Sequence, residues 1–171
     1  MVTLTSGDVL EISGNATANP LNVLKAVGGT PTETSPRRHF YVTAGATLKL
    51  THLKLTGGSV CHTANNAKCW GGSILVDGSL AKLTANSVTF AGCSGIVGRG
   101  IAACARNGGA VFADNGATVF VAESTFTGCT AQSEGGALFV HLNVDAVIVG
   151  STFKDNEAID DKGGAIVIAA G

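Results

Sequence analysis

Short runs of β-branched and aromatic residues, with apolar and polar positions alternating, recur along the chain between NG, DG or GG pairs. Examples are TLKLTHLKL from residue 47, ATVFVAESTF from residue 117 and DAVIVGSTF from residue 145. Alternation with a period of two predicts short β-strands that end in tight turns. The segment PLNVLKAVGG, residues 20–29, also fits a short helix with proline at its start and glycine at its end, and this segment stays ambiguous.

A pair of adjacent glycines occurs four times, followed by the apolar runs SILV, AVFA, ALFV and AIVI. The pairs start 37, 27 and 28 residues apart, which indicates an internal repeat. The paired glycines are Gly71, Gly72, Gly108, Gly109, Gly135, Gly136, Gly163 and Gly164.

A second motif precedes three of the glycine pairs and reads VTFAGC, STFTGC and STFKDN, with LKLTGG at 53–58 as a looser copy. The distance from the glycine pair to the next phenylalanine is 19, 18 and 18 residues, whereas the return distance is 18, 9 and 10. The repeat therefore has one arm of fixed length and one arm that accepts insertions.

A unit of this length with three short strands cannot bury its apolar side alone, so successive copies must stack into a parallel β-solenoid. Stacking turns each motif position into a column of equivalent residues, spaced by about 4.8 Å. We expect one internal aromatic stack of Phe90, Phe126 and Phe153. The glycine pair fits a corner that needs a positive φ or a close approach of two strands.

Two further columns follow from the same alignment. Cys93, Cys129 and Asn156 share one position, where an inward asparagine amide would pair with the backbone of the turn. A column of alanines is expected to face the core, with larger apolar residues beside it on the other face or at the next corner. These residues are Ala110, Ala137 and Ala165, followed by Val111, Leu138 and Ile166.

The alternation of G-G-A-[ILV] with F-x-x-N resembles the repeats of the polymorphic outer membrane proteins of chlamydiae and similar repeats in bacterial and algal surface proteins. The resemblance covers residues 38–171, although only Asn156 keeps the asparagine and two cysteines replace it earlier. It implies an all-β, right-handed parallel β-helix of about five coils, with residues 1–37 as an N-terminal cap or irregular first coil. It also implies a secreted or surface-displayed scaffold for adhesion, wall association or assembly, and it supplies no catalytic residue.

Composition narrows the class of protein further. With 171 residues, 45% hydrophobic and 13% charged, the chain is long and apolar enough to bury a core. A net charge of −1 gives no electrostatic footprint for nucleic acid, and the doublet Arg37-Arg38 is expected in a solvated turn. No apolar run has the roughly 18 residues of a membrane span, and no leader precedes the chain if it is secreted. No cofactor is indicated.

The five cysteines are Cys61, Cys69, Cys93, Cys104 and Cys129, and four lie in or beside the insertions at 59–70 and 94–107. Cys61 and Cys69 bracket a short loop and are candidates for a disulfide. Cys93 has two candidate partners, Cys104 in its own loop and Cys129 in the next coil. Reduced, buried cysteines are the alternative, and the spacing fits no zinc site. Disulfides would favour an extracellular compartment.

An enzymatic function is an alternative, because β-helices of the pectin-lyase-like type include polysaccharide lyases and hydrolases. The densest acidic group is Asp155, Glu157, Asp160 and Asp161, and a correctly spaced pair would serve as general acid and base. A solvated acidic corner explains these residues more simply. The histidines show no ligand or triad spacing and are expected to be structural or exposed; they are His39, His52, His62 and His141.

Ice binding or other flat-surface binding would require regular ranks of outward threonines. Thr89, Thr125 and Thr152 form one column, but Lys54 stands where it should begin. Thr47 and Thr118 belong to a second column, which Asp145 interrupts. Threonine is also an ordinary strand residue.

The sequence therefore predicts a non-enzymatic structural or adhesive module that is extracellular or displayed on a cell surface, with specificity in the two insertions. The apolar final run GGAIVIAAG would leave an open strand edge, so we expect further repeats or another protein chain to cover it. Glycans are a further candidate partner.

Overall fold

The computed structural model describes residues 1–17, 22–26, 37–60, 70–93, 107–160 and 163–169. Every helix or strand in these ranges is a β-strand, and every pair of neighbouring strands is parallel. The predicted all-β parallel β-helix is confirmed.

The strands follow one another in coils of three, to which the fourth and fifth coils add a short fourth strand. The first two coils contain β1 (Val2–Leu4), β2 (Val9–Ser13), β3 (Asn22–Lys25), β4 (Phe40–Thr43), β5 (Thr47–Thr51) and β6 (Leu53–Thr56). The third and fourth contain β7 (Ile74–Asp77), β8 (Lys82–Asn86), β9 (Thr89–Ala91), β10 (Val111–Asp114), β11 (Thr118–Ala122), β12 (Thr125–Thr127) and β13 (Thr130–Ala131). The fifth contains β14 (Leu138–Val140), β15 (Asp145–Val149), β16 (Thr152–Lys154) and β17 (Glu157–Ala158), and β18 (Ile166–Ile168) follows.

Equivalent strands of successive coils form three long parallel sheets. Sheet A has the order β1-β4-β7-β10-β14-β18, sheet B has β2-β5-β8-β11-β15 and sheet C has β3-β6-β9-β12-β16. A two-stranded sheet joins β13 to β17. The chain thus visits the three sheets five times, so that distance along the sequence becomes height along the coil axis.

The first coil is regular where the structure describes it. Its strands pair in register with those of the second coil, as in Val2↔Phe40 and Leu10↔Leu48. Within the ambiguous segment 20–29, Asn22–Lys25 is strand β3, and residues 20, 21 and 27–29 lie outside the described residues. The turn at 31–36 lies outside them too.

The core runs along the inside of the coils as columns of like residues. The rings of Phe90 and Phe126 stack with centroids 4.5 Å apart, and those of Phe126 and Phe153 with centroids 4.7 Å apart. The column continues towards the N-terminus through Leu55 and Leu24. The alanine column and the larger residues that follow it are both in this core, so the chain turns a corner without leaving the interior.

Each glycine of a pair has its own structural reason. The first has a positive φ in all four pairs, with values of 65°, 69°, 63° and 66°. The second faces a neighbouring coil, where a Cβ atom on Gly72 or Gly109 would lie 2.3 Å or 2.1 Å from a backbone carbonyl oxygen. Both explanations offered for the glycine pair therefore apply, one to each residue.

Asn156 joins the fifth coil to the fourth through both ends of its amide. The backbone N–H of Cys129 donates to Asn156 Oδ1 at 3.0 Å, and Asn156 Nδ2 donates to the carbonyl of Phe126 at 3.0 Å. The side chain therefore satisfies backbone groups where the fourth coil turns away from sheet C.

We expect Asn156→Ala to lower the free energy of unfolding by about 1–3 kcal/mol, because it removes both bonds and leaves a buried N–H unpaired. Urea denaturation of both proteins would measure the change. Asn86→Ala is the matched control, since Asn86 is exposed at the end of β8, and we expect a change within about 0.5 kcal/mol. Equal losses in the two variants would contradict the role of Asn156.

Candidate functional site

The outward face of sheet A carries a second apolar cluster, separate from the core. Its members are the third residues after the glycine pairs, together with Tyr41 and Trp70 from neighbouring positions. The rings of Phe112 and Phe139 stack at 5.3 Å, and Trp70 stacks on Phe112 at 4.7 Å. Phe112 and Phe139 are only 2% and 3% exposed. This face of the sheet is thus packed, although it points away from the core.

A row of polar residues, which we call the polar ladder, lies beside this cluster and consists of Tyr41, Asp77, Asp114, Asn115 and His141. Tyr41 Oη donates to Asp77 Oδ2 at 3.1 Å, and Asn115 Nδ2 donates to Asp77 Oδ1 at 2.7 Å. The backbone N–H of Asn115 and Nδ1 of His141 both donate to Asp114 Oδ1 at 2.7 Å. The ladder therefore connects the second, third, fourth and fifth coils through side chains.

The stacking of coils places Asp77 directly beside Asp114 in the register of β7 and β10. Adjacent parallel strands are about 4.8 Å apart, close to the carboxyl separation of about 5 Å in retaining glycosidases. Three oxygens of these two carboxylates, however, accept hydrogen bonds from other ladder residues. Their positions therefore fit bonding between coils better than proton transfer to a substrate.

Tyr41 is in its neutral form within the ladder. Burial raises the pKa of Tyr41, and the negative charge of Asp77 and the hydrogen bond to it act in the same direction. A neutral phenol keeps its proton and remains a donor to Asp77 at physiological pH.

Arg38 closes the opposite end of this face, and the expectation of a solvated Arg37-Arg38 turn is wrong for Arg38. The Arg38 side chain is 3% exposed, and its guanidinium carbon lies 5.9 Å from the centre of the Tyr41 ring. Its Nε donates to the carbonyl of Gly71 at 2.9 Å, and Nη2 donates to the carbonyl of Trp70. The carbonyls of the next coil thus compensate for the loss of solvent around the charge.

A second set of polar side chains lies where the chain passes from sheet C to sheet A. Ser73 Oγ bonds to His39 Nδ1 at 2.8 Å, and His39 Nε2 bonds to the carbonyl of Leu24 at 3.1 Å. Cys93 contacts Ser73 on one side and Cys129 on the other. The Ser73–His39 pair has the distance of a nucleophile and its base, but Ser73 is 0% exposed, so the pair serves structure.

Burial lowers the pKa of His39 below its ordinary value of 6.5, while hydrogen bonds to the carbonyls of Leu24 and Thr56 oppose the shift. Below pH 6.5 the unfolded chain therefore binds a proton at this residue that the folded chain does not. Stability is fully present above that pH and falls as the pH decreases towards the folded pKa.

We expect the wild-type protein to lose about 1 kcal/mol more than His39→Gln between about pH 7.5 and pH 5.5. Denaturant unfolding of both proteins at the two pH values measures this difference. Only the pH dependence is compared, because the substitution also alters the bonds to Ser73 and Leu24. Equal losses in both proteins would contradict the role of His39.

The cysteines predicted as disulfide candidates divide into two groups. Cys93 and Cys129 are buried free thiols in adjacent coils. Cys61, Cys69 and Cys104 lie outside the described residues, as do 61–69 and 94–106 of the two insertions and His62. The described ends of the first insertion are packed, with Val60 only 1% exposed and Trp70 against Phe112.

The acidic group in the turn after Phe153 is dispersed in the part of the chain that the structure describes. Asp155 forms an exposed pair with Lys154 at 3.9 Å, and Glu157 is in β17. Asp160 accepts a hydrogen bond from Gln132 of the preceding coil, and Asp161 lies outside the described residues. Among the described residues, no group of three His, Cys, Asp or Glu side chains is arranged to hold a metal ion.

Reading the sequence by motif did not find the polar ladder or the outward apolar cluster. The available signal was a constant offset: the fifth residues after the four glycine pairs are Asp77, Asp114, His141 and Ala169. The third residues are Leu75, Phe112, Phe139 and Val167. Asp114 and His141 are 27 residues apart in sequence but adjacent in space, because that spacing is one coil.

The described residues contain no helix of the length and hydrophobicity needed to cross a membrane. Searches of protein-family models, curated proteins and solved structures found no match to the chain.

Proposed function

We propose that this protein is a non-enzymatic structural or adhesive module of a secreted or cell-surface protein or of an extracellular assembly. The polar ladder is the observation that supports this proposal most directly. Its carboxylates, its phenol and its imidazole bond to one another across four coils. Side chains that a catalytic surface would turn towards a substrate are here used to hold coils together.

The outward face of sheet B supports a binding flank of mixed character. One column reads Val9, Thr47, Lys82, Thr118 and Asp145. The next column reads Glu11, Lys49, Thr84, Phe120 and Val147. Charged, polar and apolar groups alternate along both columns, which suits contact with another macromolecule more than repetitive contact with a crystal lattice.

The register of sheet C weakens the ice-binding alternative. Its outward columns read Val23, Lys54, Thr89, Thr125, Thr152 and Lys25, Thr56, Ala91, Thr127, Lys154. Only the fourth coil carries threonine in both columns. A regular two-column array of threonines is therefore lacking on this sheet.

The enzymatic alternative is kept because Asp77 and Asp114 are neighbours at a separation known from glycosidases. A polysaccharide-degradation screen with purified protein separates the two functions. We expect no release of reducing ends or unsaturated products from acidic or neutral polysaccharides. Activity that disappears in Asp77→Asn and Asp114→Asn would overturn the structural proposal.

Imaging tests the proposed location independently of activity. An antibody raised against the folded chain should label the surface of intact, non-permeabilised source cells or the surrounding matrix. Labelling that appears only after permeabilisation would contradict an extracellular role.

We expect Asp114→Ala to lower the free energy of unfolding by about 2 kcal/mol, because Asp114 is buried and accepts two hydrogen bonds. Thermal and denaturant unfolding would measure the loss. Asp145→Ala, at an exposed position of β15, is the matched control and should change stability by less than about 0.5 kcal/mol. A neutral Asp114→Ala variant would contradict the bonding role of the ladder.

A further inference from the structure

We propose that Cys93 and Cys129 form a disulfide bond between the third and fourth coils when the protein folds in the presence of a low-molecular-weight disulfide. This covalent modification goes beyond the proposed structural role and does not depend on it. It selects one connectivity among those that the sequence leaves open.

The register of the coils brings the two cysteines together. Phe90 pairs with Phe126 and Ala91 with Thr127, so that two residues later Cys93 lies beside Cys129. The backbone N–H of Thr130 donates to the carbonyl of Cys93 at 2.9 Å and holds the two coils together at this point. Stacked strands are about 4.8 Å apart, within the Cα separation of about 4.4–6.8 Å that disulfides span. The two thiols already hydrogen-bond to each other.

The third member of the column shows what an asparagine does at this position. Asn156 makes two hydrogen bonds of 3.0 Å to the backbone of the preceding coil. Cys129 reaches the equivalent carbonyl, that of Phe90, only through its sulfur at 3.8 Å. A thiol is a weak donor, so each cysteine makes a poorer bond to the turn than asparagine does. Two cysteines in successive coils offset this loss if they bond to each other.

Burial protects the product. Both side chains are 0% exposed in the folded protein, so a reductant in solution reaches the bond only after the coils open. For the same reason the oxidation belongs to the folding reaction, before the third and fourth coils close around the column.

The reaction is two successive thiol–disulfide exchanges with a small disulfide, RSSR. The hydrogen bond from the Cys93 thiol lowers the pKa of Cys129, whereas the same bond and burial raise the pKa of Cys93. Cys129 therefore attacks first as a thiolate, forming a Cys129–SR mixed disulfide and releasing RS⁻. The sulfur of Cys93 then attacks Cys129 Sγ and releases the second RS⁻. The two protein protons go to the two released thiolates, so two protein thiols and RSSR give one protein disulfide and two RSH.

The test uses the full chain with Cys61→Ser, Cys69→Ser and Cys104→Ser, which leaves only the stacked pair. The protein is unfolded and reduced, refolded with reduced and oxidised glutathione, alkylated, digested and mapped by mass spectrometry without reduction. We expect a peptide that links Cys93 to Cys129 and a chain lighter by two hydrogens. The oxidised protein should melt about 5–15 °C above its reduced form, because the bond closes a long loop.

The matched control adds Cys129→Asn, which places at the fourth coil the residue that the fifth coil carries in Asn156. This variant should fold, and its melting temperature should not respond to glutathione. Cys129→Ser serves as a second control of different hydrogen bonding. Alkylation of both thiols in the oxidised sample, disulfide-linked dimers, or a map of the wild-type chain that joins Cys93 to Cys104 would overturn the proposal.

Discussion

Replacing Gly136 with alanine is expected to lower the free energy of unfolding by about 4 kcal/mol or more. A Cβ atom at this position would lie 2.0 Å from the carbonyl oxygen of Gly164 and 2.5 Å from that of Glu157. Both atoms belong to the backbone of the next turn of the coil, so no side-chain rotation relieves the overlap. The two turns must separate locally, which breaks the inter-coil bonds from Gly136 N to Gly163 O and from Ala137 N to Ala165 O.

The glycine pair of the last turn supplies the control. Gly164 occupies the same motif position, but the nearest atom to its Cβ would be the carbonyl oxygen of Asn156 at 3.4 Å, an ordinary contact. Gly164→Ala should therefore change stability by less than about 1 kcal/mol. Gly128→Ala isolates conformational strain, since Gly128 has a φ of 59° and open space around it, and about 1 kcal/mol is expected. Denaturant unfolding of the three variants makes the comparison, and equal losses at Gly136 and Gly164 would contradict the steric explanation.

The sequence predicts the coils well wherever the two motifs mark them. The phenylalanine and the glycine pair recur at a period that matches one turn, and alternating apolar residues between them predict the strands of sheet B. The first coil carries neither motif, which is why residues 1–37 read as a cap or an irregular coil. Its strands are defined by their pairing with the second coil, as in Leu24↔Leu55, and such tertiary pairing leaves no local mark on the sequence.

The outward face of sheet A was not predicted, because alternation assigns a side chain to a face but does not say what covers that face. Phe112 is in the middle of β10 and would be exposed on a bare sheet, whereas Trp70 stacks on it from another coil. Arg38 shows the same limitation for a charge. Its burial depends on the carbonyls of Trp70 and Gly71, which lie more than 30 residues away in sequence. Asp114 and His141 likewise become partners only when distance is counted in coils.

The column of cysteines and Asn156 illustrates how much a repeat position can reveal. The alignment alone predicts that an inward asparagine bonds to the turn, and both ends of the Asn156 amide do so. The alignment also places Cys93 beside Cys129, but it does not distinguish this neighbour from Cys104 as a bonding partner. That choice rests on the hydrogen bond between the two thiols and on their burial.

Phe126→Ala is expected to lower the free energy of unfolding by about 4 kcal/mol. The Phe126 side chain is 0% exposed and lies between two parallel rings, with centroids 4.5 Å and 4.7 Å away. Truncation removes both stacking contacts and leaves a ring-sized cavity in the middle of the column. The coils above and below cannot collapse into that cavity, because backbone hydrogen bonds between neighbouring strands of sheet C fix their spacing.

Two phenylalanines of the same chain calibrate this loss. Phe120 is 39% exposed on the outward face of sheet B, and Phe120→Ala should cost no more than about 1 kcal/mol. Phe153 ends the stack and is partly buried, so Phe153→Ala should cost about half as much as Phe126→Ala. Equilibrium unfolding in urea ranks the three variants. If Phe126→Ala lost no more stability than Phe120→Ala, the aromatic column would not be the feature that holds successive coils in register.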